Sequence, residues 1–119
     1  MNKLTQLTFV AIITIIMTGC FPDGFKEQAN KQFGDQHFKT AICLIELHKI
    51  REGEYPQSLD SLKYLGDWDK IIFSSVKYTK LDKGYELDLT NGFMGKPEDL
   101  SYPDSFWKGL GLQKSNLKK

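Results

Sequence analysis

Hydrophobic positions along the chain change their period several times. From Leu7 to Met17 about eleven residues run together, apolar except for Thr8 and Thr14. Further on, Phe33 and then Phe38, Ala41, Ile42, Ile45 and His48 recur at close to the helical period. Leu44, Leu47 and Ile50 widen that apolar face, with Lys39, Glu46 and Lys49 opposite. From roughly Lys26 the composition is helical, and the spacing predicts a helix over 37–51 in particular, stopped by Gly53. Gly34 weakens the stretch before it by up to ~1 kcal/mol relative to Ala, which allows a bend there.

Pro56 forces Tyr55 into an extended conformation. Ser58 is a good N-cap, Asp60 follows in the first turn, and Leu59, Leu62 and Leu65 line one ridge. A short second helix ending at Gly66 is expected. Next, Val76–Lys80 and Tyr85–Thr90 alternate apolar and polar side chains around Leu81-Asp82-Lys83-Gly84, the pattern of a β-hairpin. A four-residue loop would set Tyr78 opposite Leu87 and Val76 opposite Leu89 on one face, and Lys77 opposite Asp88 on the other. Ile71, Ile72 and Phe73 read as the start of this strand or a separate short one. Together these elements predict an α+β fold: one long N-terminal helix, a short second helix and a small antiparallel sheet built on the hairpin.

The leading apolar run is too short for a transmembrane helix, which needs about 20 residues. It has the length of the apolar region of a secretory signal, with Lys3 before it. It closes on Met17-Thr18-Gly19-Cys20, which resembles the bacterial lipobox, with Met17 in place of the usual Leu. That resemblance implies acylation of Cys20 and cleavage before it. Each buried methylene contributes about 0.8 kcal/mol, so two or more acyl chains anchor stably. The expected organisation is a signal peptide over 1–19, a lipidated tether over 20–25, a single α+β domain over 26–112 and a disordered tail over 113–119. Facing the periplasm follows from the same resemblance. Phe21, where an Asp often marks inner-membrane retention, leans the assignment toward the outer membrane.

The chain has 16 basic and 15 acidic residues, and the leader carries only Lys3. The remaining 100 of the 119 residues are therefore balanced and suit one small domain. A balanced surface argues against nucleic acid as a partner, since phosphate neutralisation needs a basic excess. Lys114, Lys118 and Lys119 read as a solvated end. With Cys20 acylated, Cys43 is left alone in an apolar setting and reads as a small buried hydrophobe.

The segment "AICLIELHKIREGEYPQSLDSL", from Ala41 to Leu62, and the hairpin after it resemble the globular part of type IV pilin-like proteins, above all the major pseudopilins of type II secretion. The resemblance spans about residues 37–90. It implies a helix, a Gly-x-Tyr-Pro segment, a Leu-rich short helix and a small sheet. The chain departs from that family in its leader. The apolar run lies before Gly24-Phe25 and Pro22 interrupts it, so the helix that pilins bury in a fibre is lacking and filament assembly is disfavoured.

No catalytic constellation is present: there is no His-Glu-x-x-His and no Gly-x-Ser-x-Gly. His37 and His48 lie three helical turns apart, about 16 Å, too far to share a metal. Glu98, Asp99 and Asp104 match no calcium-loop spacing. No cofactor is expected. Phe93, Tyr102, Phe106 and Trp107 could form a partner-binding patch, aromatics being enriched at interfaces. They could equally pack against the sheet or helix, with one more short strand or helical turn, since a domain this small needs large side chains in its core. The expected role is a lipid-anchored, non-enzymatic module that binds or assembles envelope proteins. A periplasmic immunity lipoprotein that neutralises a toxin, and a small-ligand or cell-wall-acting protein, are the alternatives.

Overall fold

The computed structural model describes residues 2–18 and 24–117, with the side chains of 14–18 excepted. Its class is α+β. Helix α1 spans Lys3–Thr18. Helix α2 spans Phe25–Glu52, 28 residues without a break. Two 3-10 turns follow, Leu59–Ser61 and Asp67–Ile71, then a short helix α3, Ile72–Ser75. Strands β1, Val76–Leu81, and β2, Gly84–Leu89, form the hairpin. A short helix α4, Asp104–Trp107, and strand β3, Leu112–Lys114, complete the chain.

Helix α2 ends where the sequence predicts. Gly53 takes φ 83 and its N–H bonds to the Lys49 carbonyl, while the Lys49 ammonium bonds back to the Gly53 carbonyl. It starts at Phe25, close to the Lys26 from which the composition is helical. The early turns are held by close packing more than by hydrophobicity: Ala29, Asn30 and Gly34 are all buried. Gly34 makes no break. A Cβ there would lie 2.8 Å from Pro97 Cγ and 3.0 Å from Leu89 Cδ2, so its bareness lets the late loop approach the helix. The predicted widening of the apolar face stops at Leu44, since Leu47 and Ile50 are exposed.

The hairpin register is the predicted one, with Val76 opposite Leu89, Tyr78 opposite Leu87 and Lys77 opposite Asp88. Leu81 pairs with Gly84, which leaves Asp82-Lys83 as the turn. Tyr85, Leu87 and Leu89 point inward and are fully buried. They meet Phe38, Ala41, Ile42 and Ile45 of α2 in one core, with Ile72 and Val76 beside them.

Four expectations need correction. The second helix is a single 3-10 turn, and Ser58 makes no capping bond. Leu62 is buried there but Leu65 is 90% exposed, so the leucine ridge engages at one end only. The Ile71–Phe73 segment is helical, closing one 3-10 turn and opening α3. The sheet is mixed, because β3 joins β2 in parallel. The supposedly disordered tail therefore carries a strand. Beyond it, the Asn116 side chain accepts from the Leu89 N–H and donates to the Leu89 carbonyl, both at 2.9 Å, and Leu117 is buried.

Polar groups on α2 hold these late segments. The Glu46 carboxylate accepts from the Tyr55 hydroxyl at 3.1 Å, the Tyr85 hydroxyl at 3.2 Å and the Gly111 N–H at 2.8 Å. Three separate segments thus converge on one side chain, which the pattern had assigned to the polar face. Asp35 accepts from the Tyr102 hydroxyl at 2.8 Å. The Asn30 side-chain oxygen accepts from the N–H groups of Phe93 at 3.0 Å and Met94 at 2.7 Å. Hydrogen bonds to charged acceptors each contribute about 1.5–3 kcal/mol.

Replacing Glu46 with Ala is expected to destabilise the fold by about 3 kcal/mol in urea unfolding, and with Gln by about half that. Gly111→Ala acts on the same junction, because its Cβ would fall 2.0 Å from the Tyr55 hydroxyl oxygen and push it off Glu46. A loss of about 2 kcal/mol is expected there. Wild-type unfolding midpoints in these variants would contradict the junction's importance.

Candidate functional site

Cys20 lies outside the described residues. The aromatic candidates divide by environment. Tyr102 and Trp107 are buried in the core and do not form a surface patch. The Tyr102 ring stacks on Phe38 at 5.9 Å and on Phe106 at 4.1 Å, and Trp107 meets Phe106 edge-on at 5.1 Å. Phe106 is half-buried against this stack. Phe93 alone stays open at 48% exposure, resting on Phe33 with the rings 5.4 Å apart. The four residues therefore separate into three that secure the C-terminal segment and one that faces outward. The packing alternative holds for Tyr102, Phe106 and Trp107.

The histidines occupy different settings. His48 lines a cleft of about 410 Å³ with Leu44, Leu47, Arg51, Tyr55 and Gln57. His37 is buried at 4% exposure, and its Nδ1 lies 3.0 Å from the Ser75 hydroxyl. The same hydroxyl is also within hydrogen-bonding distance of the Ile71 carbonyl, at 2.9 Å. The Ser75–His37 contact ties α2 to the C-terminus of α3. The His37 Nε2 atom is closed to solvent. Sequence spacing gave no sign of this pairing, since 38 positions separate the two residues.

Cys43 is exposed, which corrects its reading as a buried hydrophobe. It sits on the turn of α2 beside Ile42 and Leu44, one step off the buried stripe. Among the described residues no group of three or more His, Cys, Asp or Glu side chains could hold a metal ion. Glu98, Asp99 and Asp104 are exposed. No helix among the described residues is long and apolar enough to cross a membrane.

The tyrosines show how dry the junctions are. All five resist ionisation. Burial pushes Tyr64 and Tyr78 up to about 12, with Asp60 adding to the effect at Tyr64 and Tyr55 at Tyr78. Burial, reinforced by the Glu46 charge, raises Tyr85 and Tyr55. Burial and the bond to Asp35 raise Tyr102. For His37 burial lowers the pKa below its ordinary 6.5, and the Asn91 backbone offsets part of that.

No family model matches the chain, and comparison with curated proteins and with solved structures finds no match.

These shifts set both edges of the stability profile. Above the ordinary tyrosine value of 10 the unfolded chain gives up protons that the folded chain retains, so stability is expected to fall as pH rises from 10 toward 12. Below 6.5 the unfolded chain takes up the His37 proton first, so stability is expected to fall with acidification too. Urea midpoints across pH 5–12 measure both limbs, and His37→Gln is expected to flatten the acid limb between pH 5 and 7.

Proposed function

We propose that the protein is a lipid-anchored cell-envelope module that binds or assembles other envelope proteins and performs no chemistry of its own. The anchor is read at Cys20, with the body held at the membrane on its periplasmic side. The observation that carries this reading is the division of the chain. An apolar helix of 16 residues, α1, precedes Cys20, and a self-contained body begins at Phe25. At 1.5 Å per residue α1 rises about 24 Å, short of the roughly 30 Å of a hydrocarbon core. That length suits a removable leader better than a permanent span.

The body supports a binding role over an enzymatic one. Ser75 meets His37 where the imidazole is buried, and the cleft beside His48 is lined by scattered, exposed charges. The sequence resemblance to pilin-like domains, carried by the long helix, the Gly-x-Tyr-Pro segment, the Leu-rich stretch after it and the hairpin, leans the proposal toward assembly. Toxin neutralisation would want an acidic or aromatic surface cluster over 93–107. There Tyr102 and Trp107 are buried, Phe93 stays exposed, and Glu98, Asp99 and Asp104 are exposed with Lys96 beside them. These exposed acids and Phe93 keep toxin neutralisation as the second reading, with the burial of Tyr102 and Trp107 counting against it.

Metabolic labelling with a radioactive fatty acid tests the anchor. Label is expected in the wild-type protein and absent from Cys20→Ser, which is expected to leave the membrane fraction while its body stays folded. An unlabelled wild type refutes the anchor. Crosslinking in the native cell then names the protein held, and recovery of a turnover activity would refute the non-enzymatic part.

A further inference from the structure

The start of α2 carries an unusual surface. The loop over 92–99 is laid against its first turns. Asn30 grips the Phe93 and Met94 N–H groups, Gly92 packs so closely that a Cβ would lie 2.3 Å from the Asn30 carbonyl oxygen, and Pro97 rests on Gly34. This rigid seating presents large apolar side chains outward. Phe93 is 48% exposed, Met94 63% and Trp68 71%. Phe93 and Trp68 wall one shallow apolar cleft of about 270 Å³ over Phe33.

The chain itself says what lies opposite. Five Cα steps separate Cys20 from Phe25, so an anchor at Cys20 holds the start of α2 within about 18 Å of the lipid at full extension. Phe, Trp and Met are the side chains that partition into a bilayer interface. The charged rim is balanced: Lys26, Lys31 and Lys96 are set among Glu27, Glu98 and Asp99. Attraction to anionic lipid is therefore not the basis of contact.

We propose that the face formed by Phe93, Met94 and Trp68 docks on the phospholipid surface, seating the body with the start of α2 toward the bilayer. This rests on the Cys20 anchor proposed above. The opposite end of α2, with the hairpin turn, then points away from the membrane toward a partner. The hairpin turn reaches α2 through Gly84, Gly111 and Glu46, about 24 Å along the helix from Asn30.

The test uses the full-length acylated protein with Cys43→Ser, reconstituted in phosphatidylcholine vesicles containing doxyl-labelled lipid. A fluorophore is placed through Met94→Cys or, as the distal control, Lys83→Cys. Both side chains are exposed, so the fold is expected to survive, which circular dichroism checks. Quenching is expected to be several-fold stronger at 94 than at 83, and unchanged when phosphatidylglycerol is added. Equal quenching at both positions, or none at 94, in protein that still floats with the vesicles overturns the docking and leaves the anchor standing. Quenching that needs the anionic lipid overturns its apolar basis. A probe at 94 that is shielded from lipid by a second copy or another protein, as crosslinking would show, assigns the face to protein and overturns the proposal. Protein that neither carries acyl chains nor floats overturns the anchor and the docking together.

Discussion

The fold depends on three polar side chains of one helix accepting hydrogen bonds from distant parts of the chain. Asn30, Asp35 and Glu46 lie along α2 and hold, in turn, the loop at 93–94, the Tyr102 segment and the junction of Tyr55, Tyr85 and Gly111. The C-terminal third buries Tyr102, Trp107, Leu112 and Leu117 in the same core, and these bonds fix where it docks. Directed bonds to partly dry acceptors supply what area alone does not, and they specify position as well as stability. Without Glu46, the Tyr85 hydroxyl and the Gly111 N–H would lose their shared acceptor at the point where β3 joins the sheet.

This arrangement explains which parts were legible from sequence. The hairpin could be read to the residue because alternation of period two, with a tight polar turn, leaves one register that buries Tyr85, Leu87 and Leu89 together. The end of α2 was legible through Gly53, whose left-handed conformation suits glycine. The first half of α2 was legible by its helical composition from about Lys26, but its buried face was not, because that face is Ala29, Asn30, Gly34 and His37, which carry little hydrophobic signal. One more short strand or helical turn was expected in the tail, but the place and pairing of β3 were hidden for a related reason. The strand is three residues long with one buried side chain, and its parallel pairing to β2 is non-local.

The candidate site was legible only in part. An aromatic cluster in a Pro- and Gly-rich tail reads the same whether it is core or interface, since both want large rings. What separates the cases is the partner of each ring: Asp35 and Phe38 claim Tyr102, and the Tyr102–Phe106 stack claims Trp107, while Phe93 has only Phe33 behind it. Glu46 was misassigned because helical periodicity sorts side chains by face and is blind to a tyrosine arriving from another strand. One clue was present, the tyrosine of the Gly-x-Tyr-Pro segment nine residues later, which returns to the same helix.

The functional account comes down to one covalent claim, that a body complete from Phe25 onward is moored through the sulfur of residue 20. Intact mass spectrometry of the protein extracted from native membranes reads this directly. The expected species begins at Cys20 and carries the added mass of its acyl chains. A species that retains residues 1–19, or that begins at Cys20 with a free thiol, would contradict it.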